Sequence, residues 1–317
     1  MAGSPAAAGT DGCAANGCAG VGGSAEPEPA RCDAGPALLT RKRLDMLLVI
    51  DDAASMYPWW TSLVTGLDEF WHDAGSIGIG VGLQHFSGQT CGPQPYLVPL
   101  VPIAPLPDNT ASLQQNVPPI PSATTSTIPA LTGAQQSVRD WATAHNDAKV
   151  VLVLLTDASP GECDSLQGDY DQEAARVARA GYEGTPAVST YVVGFGALQT
   201  LSTIARAGGT EPALVGVSLL DADAASALRT VRDDARPCAF RWSNGTTLAA
   251  DAAVVVTDSS GSERRYSVQR DAATCDGQDG FYLEDETAPF PLIACPQTCA
   301  SLSAAAQLTL STSCKAP

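Results

Sequence analysis

Two unbroken aliphatic runs, at residues 46–50 and 150–155, constrain the fold more than any other feature of the chain. A strand that is apolar at every position, and not only at alternate ones, is typical of a parallel sheet covered on both faces. Asp51 directly follows the first run, and Asp157 follows the second after one threonine. Because parallel strands end at the same edge of a sheet, the sequence predicts that both carboxylates lie at that edge.

Strand-like and helix-like segments alternate along the chain as far as residue 236. Apolar residues recur at helical spacing in 60–71 and 131–141. Between these helices lie a glycine-rich apolar strand at 77–86 and a proline-rich one at 96–103, which prolines restrict to a sheet edge. The pattern predicts an α/β fold built on a doubly wound, mostly parallel sheet.

Composition divides the chain of 317 residues into three segments. Residues 1–43 are rich in alanine, glycine and proline, which predicts a flexible tether. Residues 44–236 carry the α/β pattern. Residues 237–317 contain an Asn244-Gly245 turn signal between short strand-like runs, and we expect a small β-rich, cysteine-containing module there.

The ten cysteines are more consistent with disulfides than with zinc. No Cys-x-x-Cys pair occurs, and the three histidines lie far apart in sequence. Disulfides indicate an oxidising compartment, and the close spacing of Cys295 and Cys299, with Cys314 nearby, suggests local bridges whose pairing stays open. The first residues lack the basic start and apolar core of a signal peptide, so the tether suggests an exported or surface-anchored protein whose signal was removed or lies upstream.

Charge and motif content narrow the classes of partner. A net charge of −17 argues against nucleic acid, because phosphates would be repelled. No apolar run is long enough to cross a bilayer, so no transmembrane segment is expected. The sequence contains no Gly-x-Ser-x-Gly elbow, no Gly-x-x-x-x-Gly-Lys loop and no His-Glu-x-x-His motif. We therefore expect a binding protein and not an enzyme.

The polar residues at the predicted sheet edge resemble a motif of the von Willebrand factor A domain family. That family carries a metal-ion-dependent adhesion site written Asp-x-Ser-x-Ser, followed by a distant threonine and a distant aspartate. Its positions are matched in order by Asp51, Ser55, Thr125 and Asp157. The resemblance extends over about residues 44–234, which is the length of one ordinary domain.

The resemblance implies a site for Mg²⁺, with Mn²⁺ or Ca²⁺ as substitutes. The hydroxyls of Ser55 and Thr125 would bind the metal directly, while Asp51 and Asp157 would act mostly through bound waters. One position would stay open for an Asp or Glu carboxylate of a partner protein. Ala53 departs from the pattern because it replaces the first serine, and a methyl group cannot bind a metal. A weakened site is the expected consequence.

Two functional hypotheses remain open, and a third, a hydrolytic enzyme, is only an outsider. In the first, the chain is an adhesion module that holds a partner carboxylate at the weakened metal site. In the second, the same fold is a metal-free scaffold and its C-terminal module contacts the partner. Asp52 is expected to face solvent unless a loop shift lets it supply the missing oxygen, His85 to pack within a strand, and Ser55 to serve equally well as a helix N-cap.

Overall fold

The computed structural model describes residues 37–86, 91–121, 126–157, 170–195, 198–210, 224–242, 252–284, 290–302 and 306–311. Its strands in chain order are β1 (Ala37–Arg41), β2 (Arg43–Asp51), β3 (Gly80–Phe86), β4 (Val101–Pro105), β5 (Ala148–Thr156), β6 (Ser189–Gly194), β7 (Ala239–Trp242), β8 (Ala253–Thr257), β9 (Glu263–Gln269), β10 (Phe281–Leu283), β11 (Leu292–Ala294) and β12 (Gln307–Ser311). Its α-helices are α1 (Tyr57–His72), α2 (Thr110–Gln115), α3 (Thr127–Ala144), α4 (Tyr170–Tyr182), α5 (Leu198–Ala207), α6 (Ala224–Ala235) and α7 (Pro296–Ser301).

Five strands form a mixed sheet in the order β4-β3-β2-β5-β6. The two aliphatic runs lie in β2 and β5, which are adjacent and parallel, and β3 and β6 extend the parallel part on either side. β4 pairs antiparallel with β3. The described part of the link between them contains no α-helix, and antiparallel neighbours need no helical crossover.

Helices cover both faces of this sheet, so the side chains of residues 44–51 in β2 and 150–156 in β5 are all buried. Leu48 and Ile50 of β2 point to the face on which α1 and α6 pack. Leu47 and Val49 point to the opposite face, against α3, α4 and α5. The period-two alternation of a strand therefore supplies two separate apolar cores from one continuous aliphatic run.

The other seven strands form a closed barrel in the order β1-β12-β8-β9-β10-β11-β7. Its strands pair antiparallel except for β9 and β10, which are parallel. Phe240 and Phe281 pack edge to face in its core, at a centroid distance of 5.8 Å. Two disulfides, Cys238–Cys299 and Cys275–Cys295, join segments of this barrel.

The predicted fold class is wrong for this chain. In place of a doubly wound, mostly parallel sheet with a small module, the structure contains a mixed five-stranded sheet and a closed mixed barrel of seven strands. Residues 37–41 form β1, which pairs with β7 and β12, so this part of the segment read as tether is a barrel strand. Closure of the barrel depends on pairings between residues far apart in sequence, such as Ala37 with Leu310, which the periodicity of a single segment does not indicate.

The prediction of disulfides is confirmed, and the structure shows two of the pairings. Cys295 and Cys299 do not bond to each other but to Cys275 and Cys238. Cys91 is disulfide-bonded as well. Cys314 lies outside the described residues. No helix within the described ranges is long and apolar enough to cross a membrane.

Candidate metal site at the carboxyl edge

The carboxyl edge, at which the parallel strands end, brings two of the four predicted site residues together. Asp51 is the last residue of β2 and is fully buried, while Asp157 follows β5 and is partly exposed. Between them, the Thr156 hydroxyl donates a hydrogen bond of 2.7 Å to Oδ2 of Asp51. The pairing of β2 with β5 thus fixes one carboxylate and places the other beside it.

No cationic side chain among the described residues forms an ion pair with the carboxylate of Asp51. Its Oδ1 accepts a hydrogen bond of 3.0 Å from the backbone N–H of Ala53. Burial nevertheless raises the pKa of Asp51 to about 7, against the effect of this bond and the one from Thr156, and the charges of Asp157 and Asp52 raise it further. A cation placed here would relieve both the burial penalty and the repulsion among carboxylates.

Of the two predicted hydroxyl ligands, Ser55 lies among the described residues and Thr125 does not. Ser55 lies in a 3₁₀ turn, Ala54–Met56, that leads into α1, and its exposed hydroxyl makes no hydrogen bond to any described residue. It does not cap α1, whose N-cap residue is Met56, so that expectation is wrong. Thr125 lies outside the described residues, but Ser126, next to it, is the N-cap residue of α3.

Ala53 occupies a buried position beside the carboxylate of Asp51. Its backbone N–H serves Asp51 and its carbonyl accepts from the N–H of Met56 at 2.9 Å, so the backbone of this loop is held in place. Only the hydroxyl that a serine would supply is missing. A serine at this position would add one oxygen donor without a change in backbone hydrogen bonding.

Asp52 and His85 form a side-chain contact that was not predicted from the sequence. Oδ2 of Asp52 lies 3.5 Å from Nδ1 of His85, and their side chains are only 13% and 11% exposed. The expectation that Asp52 faces solvent is therefore wrong. Its Oδ1 is buried and makes no hydrogen bond to any residue that the structure describes. The pairing register of β2 and β3 explains this contact, because His85 lies opposite Ile50, close to the end of β2.

A loop that carries exposed apolar side chains and is held by hydrogen bonds lies at the same edge. Residues 91–100 connect β3 to β4, and their buried Tyr96 hydroxyl lies 2.9 Å from the hydroxyl of Ser126. The Gln84 amide donates to the carbonyl of Val98 at 3.2 Å. The side chains of Leu97, Val98 and Leu100 remain 39%, 74% and 52% exposed, and we call these three residues the apolar ledge.

These donors fit a hard divalent cation if hydroxyls take part. Asp51, Asp52 and Asp157 offer carboxylate oxygens, the ligand type that Mg²⁺ and Ca²⁺ prefer, and the buried Oδ1 of Asp52 has no hydrogen-bond partner among the described residues. In the described part of the chain, however, no group of three or more His, Cys, Asp or Glu side chains is arranged to hold a metal. Carboxylates alone therefore do not make the site, and Ser55 and Thr125 would have to contribute.

Comparisons with known proteins give only low similarities. No protein-family model and no curated protein matches the sequence. Among solved structures, proximal thread matrix protein 1 from the mussel byssus is 14% identical at a TM-score of 0.41, with 63% of this chain and 49% of that chain covered. The pilus adhesin SpaC from Lactobacillus rhamnosus GG, in its open conformation, is 14% identical at a TM-score of 0.48, with coverage of 87% and 39%.

The human COPII-coat protein Sec24c is 12% identical at a TM-score of 0.38, with 68% of this chain and 34% of that chain covered. The chain thus spans half or less of the length of each of these three proteins. Similarities this low establish neither a shared fold nor a shared function.

Proposed function

We propose that this chain is a protein-binding module of an exported or surface-tethered protein, and not an enzyme. A weakly held divalent cation at the carboxyl edge would bind an Asp or Glu carboxylate of the partner. The observation that carries this proposal is the hydrogen bond from Thr156 to Asp51, which holds a buried carboxylate beside Asp157 at the ends of two parallel strands.

Mg²⁺ or Mn²⁺ would be held by Ser55, Thr125, Asp51 and Asp157, and when bound it would supply the charge that attracts a partner carboxylate. The chain's own residues prepare the position. The backbone N–H of Ala53 and the hydroxyl of Thr156 orient Asp51. Ala53 supplies no hydroxyl oxygen, so the affinity for a cation would be lower than with a serine at this position.

The apolar ledge supports a protein partner over a small ligand. Leu97, Val98 and Leu100 are presented by a loop that Tyr96 and Gln84 hold in place. Exposed apolar side chains beside a charged site match the usual division of an interface into an apolar centre and a polar surround. A partner segment with a carboxylate next to apolar side chains would contact both features.

Thermal melts in EDTA, Mg²⁺, Mn²⁺ and Ca²⁺ test the cation. At a concentration of ten times Kd, a ligand stabilises the folded state by about 1.4 kcal/mol, which corresponds to roughly 3–5 °C in Tm. We expect such a rise for Mg²⁺ or Mn²⁺, a smaller one in Ser55→Ala and a larger one in Ala53→Ser.

The matched control is Ser112→Ala, which removes another exposed serine hydroxyl, on α2. Its metal response should equal that of the unmodified chain. Identical melting of the unmodified chain in EDTA and in all three metals would contradict the proposal.

The exposed arginines of the barrel favour the second candidate function, a metal-free scaffold whose barrel contacts the partner. Arg264 and Arg265 lie exposed on β9 in a chain with 17 Lys and Arg against 34 Asp and Glu. If this candidate holds, Arg264→Gln with Arg265→Gln abolishes partner capture and Ser55→Ala does not. The reverse result supports the metal site.

A further inference from the structure

A surface groove of about 340 Å³ lies between α4 and α5, on the face of the sheet that these helices cover. Its volume is at the lower end of the range for small-molecule sites. None of Asp51, Ser55 and Asp157 lines it. The groove is therefore a feature separate from the carboxyl edge.

Two arginines face this groove without a carboxylate partner. Arg179 of α4 and Arg206 of α5 are both exposed, and within the described residues neither side chain forms an ion pair or a hydrogen bond. By contrast, Arg176 on the same helix lies 3.7 Å from Glu173. In a chain with a net charge of −17, two unpaired guanidinium groups on one small groove favour an anionic ligand, and guanidinium binds carboxylate in a two-pronged geometry.

The wall of the groove includes an aromatic ring that is held from behind. Tyr182 is 47% exposed, and one side of its ring lies against Gly209. Gly209 has a φ of +76°, and a Cβ at this position would overlap the ring of Tyr182. Glycine is thus required twice, for the backbone conformation and for the close approach. An exposed aromatic face fixed in this way suits the apolar face of a ring-shaped ligand.

The remaining polar residues of the groove restrict the ligand further. Glu183 would repel a carboxylate placed next to it, but its oxygens accept hydrogen bonds from hydroxyls. Gln172, at the other end of the α4 side, both donates and accepts. The matching ligand carries one carboxylate, several hydroxyls and a ring. We propose that the groove binds a carboxylated sugar, of the uronic acid class.

Methyl glucuronide and methyl glucoside form a matched pair of probes, because they differ only in the carboxylate. Binding to the full chain is measured by ligand-observed NMR in EDTA, which removes any contribution from a metal at the carboxyl edge. We expect methyl glucuronide to bind and methyl glucoside to bind roughly tenfold more weakly, the loss of one charge-assisted interaction.

Three variants test the assigned roles. Arg206→Gln should weaken the glucuronide roughly tenfold and remove its advantage over the glucoside. Tyr182→Ala should weaken both sugars. Arg176→Gln, an exposed arginine of α4 outside the groove, should change neither. Circular dichroism confirms that each variant is folded.

Equal binding of the two sugars, or glucuronide binding that Arg206→Gln leaves intact, would overturn the proposal. So would binding of an Asp-Glu peptide in place of the glucuronide, since it would assign the groove to an acidic protein segment.

Discussion

Two buried aspartates on the same strand differ in what neutralises them. Asp45 lies near the start of β2 and Asp51 at its end, and both are fully buried. Asp45 accepts hydrogen bonds from the guanidinium of Arg43, at 2.8 and 3.0 Å, and from the indole N–H of Trp141 at 2.7 Å. Among the described residues, the donors to Asp51 are neutral groups, the Thr156 hydroxyl and the Ala53 N–H.

The difference separates a structural carboxylate from one that is available for a cation. At Asp45 the protein supplies its own positive charge, so the site is complete. At Asp51 burial raises the pKa to about 7, and the nearby carboxylates add to the rise. Burial by itself therefore does not identify a functional carboxylate. The absence of a cationic partner, among the residues described around Asp51, is the more informative property.

The largest expected loss of stability is for a substitution of Asp45, whose charge is neutralised by Arg43. Asp45→Asn removes a charge that Arg43 and Trp141 have been arranged to meet, and breaking a buried pair from one side is strongly destabilising. Because Arg43 is 34% exposed, we discount the cost to about 1–3 kcal/mol of unfolding free energy, measured by urea denaturation. Asp147→Asn is the control, since Asp147 is a distant and exposed second partner of Arg43, and its cost should stay below about 1 kcal/mol. Equal losses of unfolding free energy in Asp45→Asn and Asp147→Asn would contradict a structural role specific to Asp45.

A third carboxylate, Asp73, extends the comparison to pH. Burial alone would raise its pKa, but hydrogen bonds from Arg232 and the Gly75 N–H, with the charge of Arg232, hold the pKa below its usual value. A lowered pKa contributes stability that is present above the unfolded pKa of about 4 and is lost as pH falls below it. We expect Asp73→Asn to cost about 1 kcal/mol at pH 7 and much less at low pH.

Urea denaturation at several pH values measures this difference. Glu69→Gln is the control, because Glu69 is more than half exposed and meets Arg229 only at 3.6 Å. A cost of Asp73→Asn that does not change with pH would contradict the assignment.

The smallest expected loss of stability is for a substitution of Asp51, which has no cationic partner among the described residues. In EDTA, Asp51→Asn should change the unfolding free energy by less than about 1 kcal/mol, because the amide keeps an acceptor for the Ala53 N–H and removes a charge that burial disfavours. The measurement is again urea denaturation. A loss as large as that of Asp45→Asn would show that Asp51 is structural, like its neighbour on the strand.

The sequence predicted strands and helices correctly where apolar residues formed a continuous or regularly spaced pattern. The runs at 46–50 and 150–155 are strands in β2 and β5, and the apolar spacing of 60–71 lies within α1. Prediction failed where partners are distant in sequence: nothing local to Asp45 indicates Trp141, and nothing local to Asp52 indicates His85. Barrel closure was missed for the same reason, since β1 pairs with strands from the far end of the chain.

Titration with Mn²⁺, followed by the loss of the free-ion electron paramagnetic resonance signal, tests the central claim most directly. We predict that the unmodified chain and Asp45→Asn bind one Mn²⁺ with similar affinity, while Asp51→Asn binds it about tenfold or more weakly. Equal binding by Asp51→Asn, or no binding by the unmodified chain, would contradict it.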